Sequence, residues 1–258
     1  MRTIHASALA RWADCPRRAA IRSLDYVEQE AWGIRMTTPP QIGARVGTSV
    51  HSAIAVLLAG GDTGDAVAAI GDFLAERPDT ELSRDLPSID RAHAKAVECV
   101  AAWLTLPRIR PTVIETPITG YEVAGLTVVG TPDTIGTLDD VPVLADVKTS
   151  ARGGGWYAPQ FGAYLLGLPE TPIQSVVVDW LIYGGKEPAR ATRTVLDPDG
   201  CRGAASAVLE QAGAAFARSV VSGKPVGLAN PNSTLCSAKW CPAHGTAWCP
   251  ESTLGKES

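Results

Sequence analysis

The pattern of apolar and polar residues changes period near residue 111. Before that point, apolar residues recur every three or four positions, which is typical of amphipathic helices. Ile89, Ala92 and Ala96 share one such face. The spacing, together with capping and helix-breaking residues, predicts helices from Ser7 toward Cys15, from Thr48 toward Gly60, from Asp65 to Glu76 and from Ser88 to Leu106.

Beyond Pro111 the chain becomes rich in Val, Ile and Thr. Short runs of these residues are separated by Gly or by Asp139-Asp140, which favours strands joined by tight turns. The runs 112–119, 121–131, 134–138 and 141–148 are predicted to form an antiparallel meander. The remaining predicted elements are a helix over 156–166, a strand over 175–183, a strand over 191–196 and a helix over 202–222.

This order of elements predicts an α/β protein with an N-terminal helical portion. The length of 258 residues suits one large domain. We expect residues 1–222 to form that domain, with a helical insertion at about 62–106. Residues 223–258 are rich in Pro, Ser and Cys and are predicted to be irregular.

Composition narrows the classes of protein that the chain can belong to. No apolar run approaches the roughly 18 residues of a membrane-spanning helix, and no apolar signal core precedes the charged stretch 11–18, so we expect a cytoplasmic protein. The formal charge of −4 argues at first against binding to nucleic acid. However, fifteen of the twenty-seven acidic residues lie within 61–150, whereas 1–60 is basic. Such an acidic segment indicates either a solvated face or a cation site.

Three charged residues of the predicted meander suggest a site. Residues two apart on a strand share a face, so Asp146 and Lys148 project together while Val147 points into the core. If the strand that holds Asp133 is the hairpin neighbour, its carboxylate comes near Asp146. Two carboxylates suit Mg²⁺ or Mn²⁺, which can polarise a phosphate oxygen and lower the pKa of a bound water. The simpler alternative is an exposed salt bridge between Asp146 and Lys148.

Three polar residues on predicted helices accompany these charges. His51 follows Gly47-Thr48, and Gln160 and Tyr164 are four residues apart, hence on one helical face. Taken singly, each of the three is best explained by ordinary packing. Their order along the chain, together with the two aspartates and the lysine, is the informative signal.

In that order the motifs resemble the PD-(D/E)xK nuclease superfamily, specifically its RecB-like branch. The resemblance spans about residues 7 to 249. The matching motifs are Gly47-Thr48-x-x-His51 for the helical histidine motif, Pro132-Asp133 with Asp146-Val147-Lys148 for the signature, and Gln160-x-x-x-Tyr164 for the Q-x-x-x-Y motif.

The resemblance implies a restriction-endonuclease-like core, in which a mixed central sheet is flanked by helices. It also implies that Lys148 serves the attacking water, and that Gln160 and Tyr164 steady the lysine and the DNA backbone. Glu115 matches no motif, and a surface or core-edge role is favoured for it. The residues implied to surround a Mg²⁺ or Mn²⁺ ion are His51, Asp133, Asp146 and, through its carbonyl, Val147.

Four of the six cysteines suggest a second metal site. Cysteines that cluster in a reducing compartment more often bind metal than form disulfides. One distant thiolate plus a terminal trio suits an iron-sulfur cluster or zinc, with His244 as a substitute zinc ligand. A one-plus-three arrangement around a [4Fe-4S] cluster is implied by the resemblance to nucleases of the CRISPR adaptation and AddB types and their phage relatives, whose common C-x₂-C-x₅-C spacing differs from the spacing here. The four proposed ligands are Cys15, Cys236, Cys241 and Cys249.

Basic residues surround the first cysteine, with only Asp14 opposing them. Arg17 and Arg18 are candidates for binding DNA phosphates, and a solvated helix face is the equal alternative. The chain contains no G-x-x-x-x-G-K-[ST] loop, so unwinding of a substrate would require a partner such as a helicase.

The sequence therefore predicts a metal-dependent DNA exonuclease that acts on single-stranded or frayed ends, in recombination, phage replication or CRISPR adaptation. A structure-specific endonuclease is the alternative within the nuclease class. The alternatives from other classes are a cluster-stabilised DNA-end-binding module that serves an integrase or recombinase, and a zinc-binding interaction domain.

Overall fold

The computed structural model describes residues 2–23, 41–75, 80–222, 227–238, 240–246 and 249. In these ranges the strands are β1 (Arg2–His5), β2 (Arg110–Ile114), β3 (Ile118–Val123), β4 (Leu126–Gly130), β5 (Thr134–Leu138), β6 (Val141–Ser150), β7 (Ser175–Ile182) and β8 (Arg190–Leu196). The helices are α1 (Leu9–Asp14), α2 (Pro16–Arg22), α3 (Ile42–Leu58), α4 (Thr63–Ala75), α5 (Ile89–Trp103), α6 (Ala158–Leu166) and α7 (Pro198–Ser222).

The central sheet is mixed and has five strands in the order β2-β5-β6-β7-β8. Strands β5 and β6 form the predicted hairpin, whose turn residues Asp139 and Asp140 have φ of 50° and 65°, as a type I′ turn requires. Strands β6 and β7 are parallel and are joined by a crossover that contains α6. Because helices cover both faces of the sheet, every side chain from residue 143 to 147 is buried. The predicted mixed sheet flanked by helices is confirmed.

A second sheet takes two strands that were expected in the first one. Strands β3 and β4 pair with each other, and β1 adds to β4 in parallel, giving the order β1-β4-β3. The prediction of one continuous meander is therefore wrong. The predicted strands are interrupted at Glu115, which has a φ of 45°, and at Ala124-Gly125. Ala124 and Gly125 have φ values of 51° and 75° and form a hairpin turn. β-branched residues flank both breaks, so composition alone did not show them.

Two helical layers enclose the central sheet. The α6 and α7 layer packs on the face that includes Leu144 and Val176. The α3, α4 and α5 layer packs on the opposite face, against Val147 and Leu181. Each face of the central sheet thus has its own apolar core.

Several helix boundaries differ from the predicted ones. Helix α3 begins at Ile42 rather than at Thr48, since Ile42 and Val46 extend the buried stripe by more than one turn. Pro16 ends the first predicted helix as expected, but it also begins α2, where a proline at the first position needs no hydrogen bond from its nitrogen. Helix α5 begins at Ile89, one residue after the predicted start, because Ser88 is its N-cap and its hydroxyl accepts a hydrogen bond from the N–H of Arg91. No helix in the described part of the chain is both long and apolar enough to cross a membrane.

Helices α6 and α7 touch at Gly162. A Cβ there would lie 1.9 Å from the backbone oxygen of Cys201, so the two helices would have to separate. We predict that Gly162→Ala lowers the free energy of unfolding by about 3 kcal/mol. The matched control is Gly203→Ala on α7, which has nothing within 4 Å of the added Cβ and should raise stability by about 0.8 kcal/mol. Urea denaturation measures both changes, and effects of the same sign would contradict the close contact.

Candidate active site

The β5–β6 hairpin brings two carboxylates together. Thr134 pairs with Ala145 in the antiparallel register. The next pair in this register consists of Asp133 and Asp146. Oδ2 of Asp133 accepts a hydrogen bond from the backbone N–H of Val147, with 2.8 Å between nitrogen and oxygen. The hairpin therefore holds Asp133, just before β5, beside Asp146 in the middle of β6.

Lys148 lies on the same face of β6 as Asp146. Its Nζ is 2.5 Å from Oδ2 of Asp146, and the two side chains are 16% and 1% exposed. This contact is an ion pair without hydrogen-bond alignment, so Oδ2 is buried without an aligned donor in the described part of the chain. The alternative of an exposed surface salt bridge is wrong, because Asp146 is fully inside the protein.

His51 approaches from α3, on the other helical layer. Helix α3 packs tightly against the sheet at two glycines one turn apart: a Cβ on Gly43 would lie 2.9 Å from the hydroxyl of Tyr183, and one on Gly47 would lie 2.8 Å from Oγ1 of Thr149. One turn further along, Nδ1 of His51 lies 3.1 Å from Oδ2 of Asp133. The Gly47-Thr48-x-x-His51 motif thus combines a close helix–sheet contact with the side chain that this contact positions.

Gln160 and Tyr164 reach the site from α6. Nε2 of Gln160 donates to the hydroxyl of Tyr164 at 2.9 Å and to Oδ1 of Asp146 at 3.4 Å. Both side chains are buried, and the ring of Tyr164 lies against Gly130, where an added Cβ would be 2.7 Å from its Cε1. Gln160 therefore links Tyr164 to Asp146 through hydrogen bonds. Lys148 is flanked instead by aromatic rings, with Nζ 5.0 Å from the centroid of Tyr157 and 5.7 Å from that of Phe161.

The two carboxylates have opposite electrostatic environments. Burial and the neighbouring charge of Asp133 raise the pKa of Asp146 to about 6, against the opposing effects of Lys148 and His51. Burial also acts to raise the pKa of Asp133, but the charge and hydrogen bond of His51 outweigh it and hold that pKa below its ordinary value. For His51, burial acts to lower the pKa, while Asp133 and Asp146 together raise it above its ordinary value. Asp133 therefore ionises readily, whereas Asp146 keeps its proton up to about pH 6.

A cavity opens beside these side chains, between β5, β6 and α3. Glu115, His51, Asp133 and Asp146 are among the residues that line it. The backbone N–H of Glu115 donates to the carbonyl oxygen of Asp133 at 3.0 Å, which fixes the Glu115 backbone next to the pair. Glu115 is exposed, in agreement with the predicted surface or core-edge role, and it also borders the cavity. Its presence at the cavity follows from strand pairing between β2 and β5.

The sequence interpretation missed a buried carboxylate behind the cavity. Asp179 on β7 receives two hydrogen bonds from Arg193, at 2.7 Å and 2.8 Å, and one from Nε1 of Trp103 at 3.0 Å. These donors satisfy both of its oxygens, so the side chain is a structural support of the cavity wall. The available signal was a single aspartate inside the apolar run 175–183.

The donor set at the hairpin suits a hard divalent cation. Carboxylate oxygens are the ligands that Mg²⁺ and Mn²⁺ prefer, and Oδ2 of Asp146 is a buried oxygen without an aligned donor. Within the described ranges, no three His, Cys, Asp or Glu side chains are close enough together to hold a metal ion as they stand. Because the residues fit the cation chemically, only side-chain adjustment would be needed to bring them around one.

The cysteines converge, although without the geometry of a metal site. Burial and the neighbouring Cys15 and Cys236 thiols raise the pKa of the Cys241 thiol, and Cys249 packs in the same small apolar cluster as Cys241. The six cysteines all lie in the described ranges, and no disulfide joins any of them. No group of side chains in these ranges is arranged to hold a metal ion as it stands, so the iron-sulfur cluster stays a prediction.

The segment that carries Cys236 to Cys249 is held against α1 and α2. Nε of Arg17 donates to the carbonyl of Gly227 at 2.7 Å, and Nδ2 of Asn230 donates to the carbonyl of Asp14 at 2.9 Å.

Arg18 is only 3% exposed and forms an ion pair with Asp14. Phosphate binding by Arg17 and Arg18 stays a prediction, and the observed contacts of both side chains are internal.

A mixed sheet between two helical layers, with a hairpin that presents two aspartates and a lysine, defines an α/β protein of the restriction-endonuclease-like class. Comparison with protein families gives the specific assignment. The sequence pattern of the PD-(D/E)XK nuclease superfamily matches residues 3–250, and the chain belongs to this superfamily. Its members are nucleases that generally use Mg²⁺ or Mn²⁺, so membership implies a metal-dependent nuclease with a nucleic-acid substrate.

Two further comparisons add little to this assignment. A comparison with curated proteins found no match. A solved structure titled "Crystal structure of SSO0001" aligns with a TM-score of 0.34 and 10% sequence identity, covering 87% of this chain and 92% of that chain. The family assignment therefore depends on the sequence pattern.

Proposed function

We propose that the protein is a Mg²⁺- or Mn²⁺-dependent deoxyribonuclease of the RecB-like branch. The observation that carries this proposal is the pair formed by the buried Asp146 and the partly buried Asp133, with Lys148 and His51 in direct contact with its carboxylates. This arrangement concentrates negative charge where a hard cation would relieve it. The His51 and Gln160-x-x-x-Tyr164 motifs, which lie on two different helical layers and meet at this pair, support the RecB-like branch.

The cation would supply polarisation of a phosphate oxygen and a lowered pKa for a water molecule. The residues proposed to hold it are Asp133, Asp146, His51 and the carbonyl of Val147. Gln160 keeps the Asp146 carboxylate in place through its hydrogen bond to Oδ1, and Tyr164 fixes the Gln160 amide.

Lys148 is proposed to act on the attacking water. Its ammonium is held between the Asp146 carboxylate and the faces of two aromatic rings. From this position it can orient or deprotonate the water, or stabilise the charge that develops on the phosphoryl oxygens.

The proposed substrate is single-stranded or frayed DNA, cut from an end. Recombination, phage replication and CRISPR adaptation are the processes in which such an exonuclease would serve, with a helicase, recombinase or integrase as partner. A structure-specific endonuclease remains the second candidate, because Glu115 and the carboxylate pair line a cavity that is open to solvent. Residues 1–222 are proposed as the nuclease domain, with the helical insertion at about 62–106.

A time course on DNA labelled at the 5′ or the 3′ end tests this function. Single strands and duplexes are incubated with Mn²⁺, with Mg²⁺ or with EDTA. A ladder that shortens from one end, only with metal, is the expected result. Internal cuts at the first time points would favour the endonuclease, and no cleavage of any DNA would contradict the proposal.

We also propose that the C-terminal segment, 223–258, completes a [4Fe-4S] cluster with Cys15. The proximity of Cys15, Cys236 and Cys241 supports this proposal. The cluster would brace the segment against α1 and α2, since formation of a metal site and folding are coupled. Zinc is the alternative occupant, with His244 as a substitute ligand.

Cys15→Ala and Cys241→Ala are each expected to remove the cluster and lower the melting temperature. The matched control is Cys99→Ala, because Cys99 lies inside α5 and burial raises its pKa to about 12, as expected of an inert thiol. Iron analysis and the absorbance near ~400 nm of anaerobically purified protein measure cluster content. Zinc without iron in the parent protein would establish the alternative, and full iron content in both ligand variants would refute the ligand assignment.

A further inference from the structure

A second cavity adjoins the candidate catalytic one. It lies between the C-terminal ends of α3 and α5 and the connection that leads into β2, and we call it the side groove (residues 57–61 and 103–111). The two cavities share Leu58, Trp103 and Ile109 as walls, so the side groove opens beside the carboxylate pair. The space within it is about 1150 Å³, against about 370 Å³ for the catalytic cavity.

The two cavities differ sharply in chemistry. The catalytic cavity is lined by four acidic side chains, namely Glu115, Asp133, Asp146 and Asp179. Among the described residues, the lining of the side groove contains no acidic side chain. Its charged residues there are Arg108 and Arg110, and the others are leucine, proline, isoleucine, tryptophan and glycine. An apolar floor with cationic residues therefore continues directly into a carboxylate site.

The two arginines differ in whether their guanidinium groups already contact a carboxylate. Arg110 forms an ion pair with Asp140 at 3.2 Å, in which both side chains are more than four-fifths exposed, so this pair is weak and easily exchanged. Arg108 is exposed, and its guanidinium has no hydrogen bond or ion pair with any residue in the described ranges. An anion that enters the side groove meets Arg108 without having to displace a carboxylate.

We propose that the side groove binds unpaired nucleotides of the DNA strand that is cut in the neighbouring cavity. This inference rests on the proposed nuclease function and adds the part of the substrate that lies beside the cleaved bond. The apolar wall receives the faces of the bases, and Arg108 and Arg110 contact the phosphates.

The chemistry of the side groove favours an unpaired strand over a duplex. In a duplex the bases are stacked on each other and the outer surface is sugar and phosphate, which gains little from leucine and proline side chains. An unpaired strand exposes both base faces and phosphates, and so matches an apolar wall and cations together. The shared walls place this strand next to the cavity that holds the carboxylates.

Charge reversal in the side groove tests the inference. Arg108→Glu is compared with Arg202→Glu, which makes the same change on α7, in the opposite helical layer, where Arg202 pairs with Asp199. Binding of fluorescein-labelled 12-nucleotide oligo(dT), of a blunt duplex and of an abasic strand is measured by anisotropy in EDTA, so that nothing is cut. We expect Arg108→Glu to weaken oligo(dT) binding about fivefold and to reduce the slope of log K against log salt by about 0.7.

Each outcome decides one point. In the parent protein the abasic strand should bind about tenfold more weakly than oligo(dT), because the bases contribute through their faces. Equal binding of oligo(dT) by Arg108→Glu and Arg202→Glu would overturn the inference, and this is also the result if the side groove receives a protein or another segment of the chain. An equal loss for duplex and single strand would overturn the preference for unpaired DNA. A parent protein that binds through Arg108 but never cuts DNA would contradict the nuclease function instead.

Discussion

Lys148→Ala and Asp146→Ala each reduce metal-dependent DNA cleavage by at least about a thousandfold, because each removes a group that contacts the reacting centre in the proposed mechanism. The measurement is the initial rate of release of end-labelled nucleotides in Mn²⁺. The expected losses are large because the lysine and the aspartate act as one unit: the ammonium is 2.5 Å from the carboxylate in the structure.

Matched controls separate this effect from general charge loss. Lys186→Ala and Asp72→Ala remove the same two charges from exposed positions on the loop before β8 and on α4, and both variants should cleave at the parent rate. Circular dichroism confirms that all four variants are folded. If folded Lys148→Ala or Asp146→Ala cleaves DNA at more than a tenth of the parent rate, the proposed active site is contradicted.

Asp146→Asn stabilises the metal-free protein at pH 8, whereas Asp133→Asn destabilises it. The pKa of Asp146 is raised to about 6 from 3.8, so its ionised form costs stability above pH 6, and the cost disappears as the pH falls below about 4. The pKa of Asp133 is held low, so its ionised form contributes stability above about pH 4 that the amide cannot supply. The same substitution on two adjacent carboxylates should therefore shift the melting temperature in opposite directions, by on the order of 5 °C.

Divalent metal gives the second half of this test. At about a hundredfold excess over its Kd, Mn²⁺ should raise the melting temperature of the parent protein by roughly 5 °C, since it binds only the folded state. Both asparagine variants should lose this response, because each lacks one of the two proposed carboxylate ligands. Shifts of the same sign for the two metal-free variants, or a full Mn²⁺ response in either of them, would show that the pair is not arranged as proposed.

The core of the site was predictable because strand geometry is simple. The two-residue period of a strand places Asp146 and Lys148 on one face whatever the surrounding fold, and a tight turn at Asp139-Asp140 sets the register that puts Asp133 opposite Asp146. Helical spacing likewise gave the shared face of Gln160 and Tyr164. These inferences needed only local rules.

The parts that were not predictable depend on contacts between distant segments. No local pattern in the sequence indicates that β1 pairs with β4. Together with β3, these strands form a sheet separate from the central one. Glu115 reaches the cavity only because β2 pairs with β5. The side groove likewise arises where two helix ends meet a connection that has no motif of its own.

Arg17 and Arg18 illustrate a different limit. A run of arginines predicts a cationic surface, but the chain that covers it comes from more than two hundred residues away, with Arg17 bonded to Gly227. The segment that covers these arginines also carries the cysteine trio. A run of arginines in a sequence therefore indicates a surface that would attract anions. Only the fold shows whether carbonyl groups of the protein itself already accept the hydrogen bonds of these arginines.

The glycines of α3 have a consequence for how the site tolerates change. His51 and Gln160 belong to opposite helical layers, and the distance between them is the thickness of one sheet plus two helix–sheet contacts. At Gly43 and Gly47, α3 comes close to the side chains of Tyr183, just after β7, and Thr149 on β6. The spacing of the proposed metal ligands therefore depends on how closely α3 packs on the sheet rather than on loops. Loops can vary in sequence and length without altering this spacing, whereas a methyl group added at Gly47 would have to displace either the side chain of Thr149 or α3 together with His51.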